Sequence, residues 1–315
     1  MSTHPDLRQP DVLAHALQAI QKGSSSFASA SKLFDEKTRE STLMLYAWCR
    51  HCDDVIDGQV SGHGQREGSR DDGARSLRML EEQTRQACAG HPSDEPAFIC
   101  LSEVMKRHDI GVELPLAHLA GFRMDVEDVE YESLHDTLLY CYRVAGVVGL
   151  MMARIMGARD SATLDRACDL GIAFQLTNIA RDIVDDAAIG RVYLPKEWLR
   201  SRGIPADEIE DPRHRESLAV LASDLVETAE PYYDSAMQGL GALPLRSAWS
   251  VATARDVYRA IGRQVRAKGS HAWDSRVRTT GLQKVWFAAR GAGVAIAARA
   301  MPRSKREKSL WTRGR

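Results

Sequence analysis

The sequence predicts an all-α fold in one domain, with long helices around a deep apolar interior. Three observations carry this. Apolar residues recur at helical spacing along most of the 315-residue chain, no convincing run alternates as a strand would, and neither a repeat nor a breaker-rich linker divides the sequence.

Taken in order, Val12–Lys22 reads as an amphipathic helix and Ser24-Ser25-Ser26-Phe27 as a polar break. Glu36–Ile56 sets Leu43, Leu45, Tyr46, Trp48, Cys49, Cys52, Val55 and Ile56 at helical spacing, with no internal Gly or Pro. Gly58–Gly73 is rich in breakers and predicts a mobile loop. Ala74–Ala89, Pro96–His108 and Pro115–Asp125 read as further helices. Thr137–Gly157 is apolar all round, which places it in the interior. Thr163–Asp186 is a long helix, followed by the loop Gly190-Arg191-Val192-Tyr193-Leu194-Pro195. Glu216–Gln238, Arg246–Lys268 and Gly281–Arg299 complete the set.

Composition narrows the function. Hydrophobic residues make up 44% and charged residues 27%, which excludes a wholly disordered chain. The net charge of −1 argues against a generally basic nucleic-acid binder. Its distribution is uneven. Arg246–Arg315 holds 17 Lys+Arg against 3 Asp+Glu, a local +14 on a body that carries −15. Such a module suits phosphates, on a substrate, a lipid surface or a nucleic acid, with a plain solvated face as the alternative. The polar N-terminus has no apolar signal core, and no stretch supplies the roughly 20 uninterrupted apolar residues of a spanning helix. The expectation is a cytoplasmic protein, at most peripheral on the inner face of a membrane. Six cysteines in a chain this long do not make a disulfide framework.

Two stretches hold chemistry. In Asp53-Asp54-Val55-Ile56-Asp57, helical spacing puts Asp53 and Asp57 on one face. In the second, Gln175, Asn178, Asp182 and Asp186 form an oxygen-rich stripe inside apolar sequence. One Asp-x-x-x-Asp alone reads as a solvated face. Two on different long helices suit a hard cation, since Mg²⁺ takes oxygen ligands and bridges one or two carboxylates to a substrate phosphate. Arg50 and Arg181 lie beside the acids. Small residues at Ala145, Gly146 and Gly149 serve either close helix packing or a ligand. A diphosphate at a metal mouth above an apolar cavity implies an isoprenyl diphosphate.

These blocks carry a resemblance. Leu45 through Asp57, Tyr140 through Gly149 and Leu170 through Asp186 are similar to the signatures of the squalene/phytoene synthase family, in its bacterial carotenoid branch, and the likeness runs from about Ala14 to Arg290. It implies the isoprenoid synthase fold. It implies head-to-head condensation of two geranylgeranyl diphosphates to phytoene through prephytoene diphosphate, with Mg²⁺ (or Mn²⁺) and without NADPH. Metal would be held by Asp53 and Asp57 on one side and by Asn178, Asp182 and Asp186 on the other. Tyr46, Arg50, Arg181, Tyr193 and Arg276 would meet diphosphate, with Ser24 and Ser26 in a segment near it. Phe27, Val144, Ala145, Val148, Gly149 and Gln175 would line the prenyl channel, with Tyr140 a candidate catalytic group.

Rival readings remain at this level. Within the family they are dehydrosqualene and squalene synthase, which use farnesyl diphosphate. Outside it stands a helical membrane-surface or RNA-contacting protein acting through the basic C-terminus. Cys49-Arg50-His51-Cys52 lacks the βαβ setting of a redox site and the partners of a zinc site. The domain expectation is a catalytic unit over 1–298 and a basic tail over 299–315. The expected partners are the prenyl diphosphate, a membrane surface met through that tail, and neighbouring carotenoid enzymes that receive the product, with no nucleic acid.

Overall fold

The computed structural model describes residues 17, 30–58, 70–302 and 304–313, and within them the regular structure is helical, with no strand. The expected first helix, apart from Leu17, and Ser24, Ser26 and Phe27 lie outside the described residues.

Helix α1 (Glu36–Asp57) begins where the Asp35 carboxylate accepts from the Thr38 N–H at 3.0 Å. It ends at Gly58, whose φ of 60° suits glycine and turns its N–H back to the Asp54 carbonyl. Helices α2 (Arg70–Cys88), α3 (Pro96–His108) and α4 (Glu113–Val126) gather around it. Helix α2 starts inside the expected loop, where Asp71 and Asp72 in its first turn complement the helix dipole. Trp48, Phe98, Leu101, Leu119 and Met151 anchor this first core, all fully enclosed.

Helix α5 (Leu134–Cys141) runs through a π-helical turn (Tyr142–Gly146) into α6 (Val147–Ile155). Helices α7 (Ser161–Ala187), the short α8 (Lys196–Ser201), α9 (Arg215–Met237) and α10 (Leu245–Lys268) follow. The second core lies among α5, α7, α9 and α10 and includes Ile172, Leu176, Leu218, Leu225 and Tyr233. Helix α11 (Gly281–Ala297) lies along α10, where the Trp249 indole donates to the Ala288 carbonyl at 2.7 Å. Residues 304–313 lie against the body: Leu310 is buried and Arg313 pairs with Asp165 at 3.1 Å.

The α5–α6 passage explains the small residues. A Cβ on Gly171 would stand 2.3 Å from the Ala145 carbonyl oxygen, and one on Gly149 2.3 Å from that of Ala167. Close backbone approach therefore requires glycine here, and the π turn sits at that contact. Contrary to the sequence reading, Leu134–Ile155 is long and apolar enough to cross a bilayer by length and composition. Half of its most apolar window is buried in the fold.

Candidate active site

A cavity of about 490 Å³ opens between the two cores. Helix α1 contributes Tyr46, Cys49, Arg50 and Asp53, while α4 contributes His118, Phe122 and Asp125. Tyr140, Val144, Ala145, Val148 and Gly149 come from the α5–α6 passage, Phe174, Gln175 and Asn178 from α7, and Val251 and Tyr258 from α10. Every expected channel residue within the described chain thus borders one space. For Ala145 and Gly149 the two readings of small residues hold together, since they pack closely and line the cavity.

The acids climb out of this cavity on both sides. Asp53 borders it and Asp57 stands one turn beyond on α1. Asn178 borders it, with Asp182 and Asp186 one and two turns beyond on α7. Arg50 holds Asp53 at 2.8 Å and Asp54 at 2.7 Å. Arg181 grips Asp182 through both carboxylate oxygens, and Arg276 reaches the same carboxylate at 2.9 Å. The Asn178 amide donates to Gln175 at 3.3 Å, while its own Oδ1 is buried without a hydrogen-bond partner.

Arg191 joins the two ladders. It lines the cavity, bonds Asp57 at 2.5 Å, and its charge also acts on Asp53, Asp125 and Asp186. Burial works against its charge, yet Tyr193, Asp57 and Asp125 hold it firmly protonated. Burial, reinforced by neighbouring carboxylates, pushes Asp53 up to about 6 and Asp186 up to about 7. Among the described residues no three acidic, His or Cys side chains close on one point as a self-sufficient metal cage.

A second constellation adjoins the first. The Asp125 carboxylate accepts from the Tyr193 hydroxyl at 3.0 Å and the Tyr140 hydroxyl at 3.3 Å. Burial raises Asp125 to about 7. Tyr140 and Tyr193 stack with centroids 4.5 Å apart, and Tyr131 meets Tyr140 edge-on at 5.5 Å. Burial and the adjacent Asp125 carry the Tyr140 phenol well above its ordinary range.

With this geometry in hand, comparison with known proteins is direct. The family model for squalene/phytoene synthase matches residues 20–283. The chain belongs to the squalene/phytoene synthase family. The 15-cis-phytoene synthase of Pantoea ananas is 53% identical, over 98% of this chain and 99% of its own length. That of Enterobacter agglomerans is 54% identical, over 93% of this chain and 99% of its own. Among solved structures, a dehydrosqualene synthase in complex with ligand superimposes with a TM-score of 0.81 at 27% identity, covering 91% of this chain and 98% of that one. A squalene synthase from Alicyclobacillus acidocaldarius gives 0.71 at 24% identity, covering 82% and 94%. The fold is the all-α isoprenoid synthase fold.

For this member of the squalene/phytoene synthase family, the sequence reading missed Arg191, Asp125, Tyr131 and His118. Arg191 stood in a loop noted only for its position, although an arginine two residues before a site tyrosine was a usable signal. Asp125 was read as the end of a helix and as part of the family-like stretch Gly121–Asp125, with no role assigned to it. Its role comes from tyrosines 15 and 68 residues away in sequence, a separation no local pattern encodes.

Proposed function

We propose that the chain is a 15-cis-phytoene synthase, condensing two geranylgeranyl diphosphates head to head through prephytoene diphosphate and releasing two diphosphates. The observation that carries this is the pair of acid ladders joined by Arg191 above an apolar cavity. Full-length identity above 50% to two curated phytoene synthases supports the same reading.

The residues fit a hard divalent cation. The donors are all oxygen, the Asn178 Oδ1 lacks a partner, and the like charges of Asp53–Asp57 and of Asp182–Asp186 repel one another. Asp53 and Asp57 on one side and Asn178, Asp182 and Asp186 on the other would hold Mg²⁺ (or Mn²⁺). When bound, the metal would neutralise diphosphate oxygens and so make diphosphate a better leaving group.

The chain's own groups do the rest. Arg50, Arg181, Arg191 and Arg276, each now on a carboxylate, are placed to transfer to diphosphate oxygens. Tyr46, bordering the cavity beside Arg50, keeps its proton and serves as a donor. Tyr140 borders the cavity, where its ring suits the allylic cation left by ionisation, and Tyr131 and Tyr193 pack behind it. The Tyr140 phenol stays protonated, which favours donation to Asp125 over action as a phenolate base. The apolar walls exclude water that would quench the cation.

The test is product identification. The purified chain with Mg²⁺ and geranylgeranyl diphosphate should yield phytoene. Efficient condensation of farnesyl diphosphate alone would move the assignment to the dehydrosqualene reading.

The reading includes peripheral membrane contact. Its support is α11, where Leu282, Val285, Trp286 and Ile296 are 86%, 69%, 58% and 64% exposed along one stripe. No acidic residue occurs between Asp274 and Glu307, which suits an anionic leaflet. Trp286→Glu should abolish co-sedimentation with phosphatidylglycerol vesicles. Unchanged sedimentation would remove α11 from the contact.

A further inference from the structure

The cavity has a far end, opposite the acids. Asn178 and Arg166 both line it and stand twelve residues apart on α7, about 18 Å along the helix axis. At the Arg166 end, Met156, Gly239 and Leu243 close the space. A guanidinium has no obvious place at the bottom of a hydrocarbon pocket, and here its head is turned outward. Arg166 Nη1 donates to Ser235 Oγ at 2.8 Å, and Nη2 donates to the Ser304 carbonyl at 2.8 Å. Its aliphatic stem packs on Gly239, where a Cβ would come within 2.9 Å of Arg166 Cβ.

The outer side of this wall is clamped. Ser235 donates in turn to Asp169, a carboxylate with no exposure. Arg306 grips both oxygens of Asp169, at 2.6 and 2.8 Å, and also donates to the Trp311 carbonyl at 2.7 Å. Trp311 packs against Tyr142 in the π turn, with centroids 5.1 Å apart and the rings tilted by 37°. Residues 304–313 therefore brace the outside of the surface whose inner side Arg166 presents to the cavity.

We propose that Arg166, backed by the docked segment Ser304–Arg313, is the floor that sets the length of prenyl chain this enzyme accepts. The proposal rests on the prenyl-diphosphate reading above. An apolar floor yields to a longer chain by changing rotamers. Arg166 yields only by breaking two hydrogen bonds and leaving Asp169 and Ser235 partly unpaired inside the protein, which is far costlier. A chain that stops short of it leaves an unfilled void. Arg166 is thus a positioning residue, and Arg306 acts through it.

The experiment uses the full chain with diphosphates of 15, 20 and 25 carbons. Their turnover is measured in competition, and binding of the non-ionising thiolodiphosphate analogues is measured by calorimetry. Arg306→Ala, which releases the clamp, and Arg166→Met, which removes the guanidinium that anchors the floor, should each raise the 25-to-20-carbon preference roughly tenfold, in binding as well as turnover. Arg306→Lys keeps the charge and loses the fork, and should recover part of the discrimination. Ala167→Leu, which fills the same end, should shift preference toward 15 carbons. Circular dichroism confirms folding, and hydrogen exchange over residues 304–313 reports release of the segment. An unchanged length profile in folded Arg166→Met and in Arg306→Ala with its segment released overturns the floor. Failure of the unaltered chain to bind a prenyl diphosphate of any length overturns the function reading itself.

Discussion

At the scale of single residues, the site is a contest between carboxylates and guanidiniums. Asp182 alone is held by Arg181 and Arg276. Asp53→Asn and Asp182→Asn each remove one carboxylate charge, from opposite ladders. Each should lower kcat/KM by about 10²–10³, measured with the 20-carbon substrate, while the fold persists. Arg191→Gln should act differently. It withdraws a guanidinium that bonds Asp57 on one ladder and acts electrostatically on Asp186 on the other, so thermal stabilisation by Mg²⁺ alone should grow while turnover falls. If Mg²⁺ stabilisation stayed the same, Arg191 would not stand between the ladders electrostatically. The acids themselves were legible in the sequence, because helical spacing is a local code and Asp53–Asp57 needs nothing else to share a face. Asp125 was not legible, since its meaning depends on Tyr140 and Tyr193 arriving from other elements.

At the scale of elements, the contact between the α5–α6 passage and α7 is the tightest in the site. Gly171→Ala should destabilise the protein by about 1–3 kcal/mol, because its Cβ would meet the Ala145 carbonyl and the backbone has little room to move. Thermal denaturation measures it, and loss of the cavity-lining position of Ala145 should lower activity as well. Periodicity located most helices well: Pro96–His108 agrees at both ends, and Glu36, Lys268 and Gly281 are each an observed terminus. Two features escaped it. The start of α2 at Arg70 was masked by surrounding breakers. The π turn at Tyr142–Gly146 has the same local composition as plain helix, and it coincides with a close approach to α7 at Gly171 that no local pattern encodes.

At the scale of the whole molecule, two cores meet at a seam, and buried charge collects at one end of it. Asp53, Asp125 and Asp186 have folded pKa values raised to about 6, 7 and 7. Unfolded carboxylates titrate near 4, so between about pH 4 and 7 the folded state binds more protons than the unfolded one. Stability of the metal-free protein should therefore fall as pH rises through that window. His118, lowered by burial to about 4, works the other way between pH 4 and 6.5, but it is one group against three, so the net decline should run through the whole window. Added Mg²⁺ should restore the midpoint at pH 8 and do little at pH 5, where protons already neutralise the acids. A metal-induced shift of equal size at both values would contradict this electrostatic account. The all-α class and the hollow interior were legible from patterning over hundreds of residues. The relation of the C-terminal segment to the body was not, because Arg306 and Asp169 lie 137 residues apart.

The bond between Arg191 and Asp57 has one more consequence. Before anything enters, the site already owns a counter-ion tethered to the polypeptide. On the proposed function, entry of the first diphosphate would be an exchange and not an addition: the arriving anion would capture Arg191 and so release Asp57 for a metal. Substrate and metal should accordingly favour each other's arrival, with magnesium bound more tightly by the substrate-loaded enzyme than by the empty one.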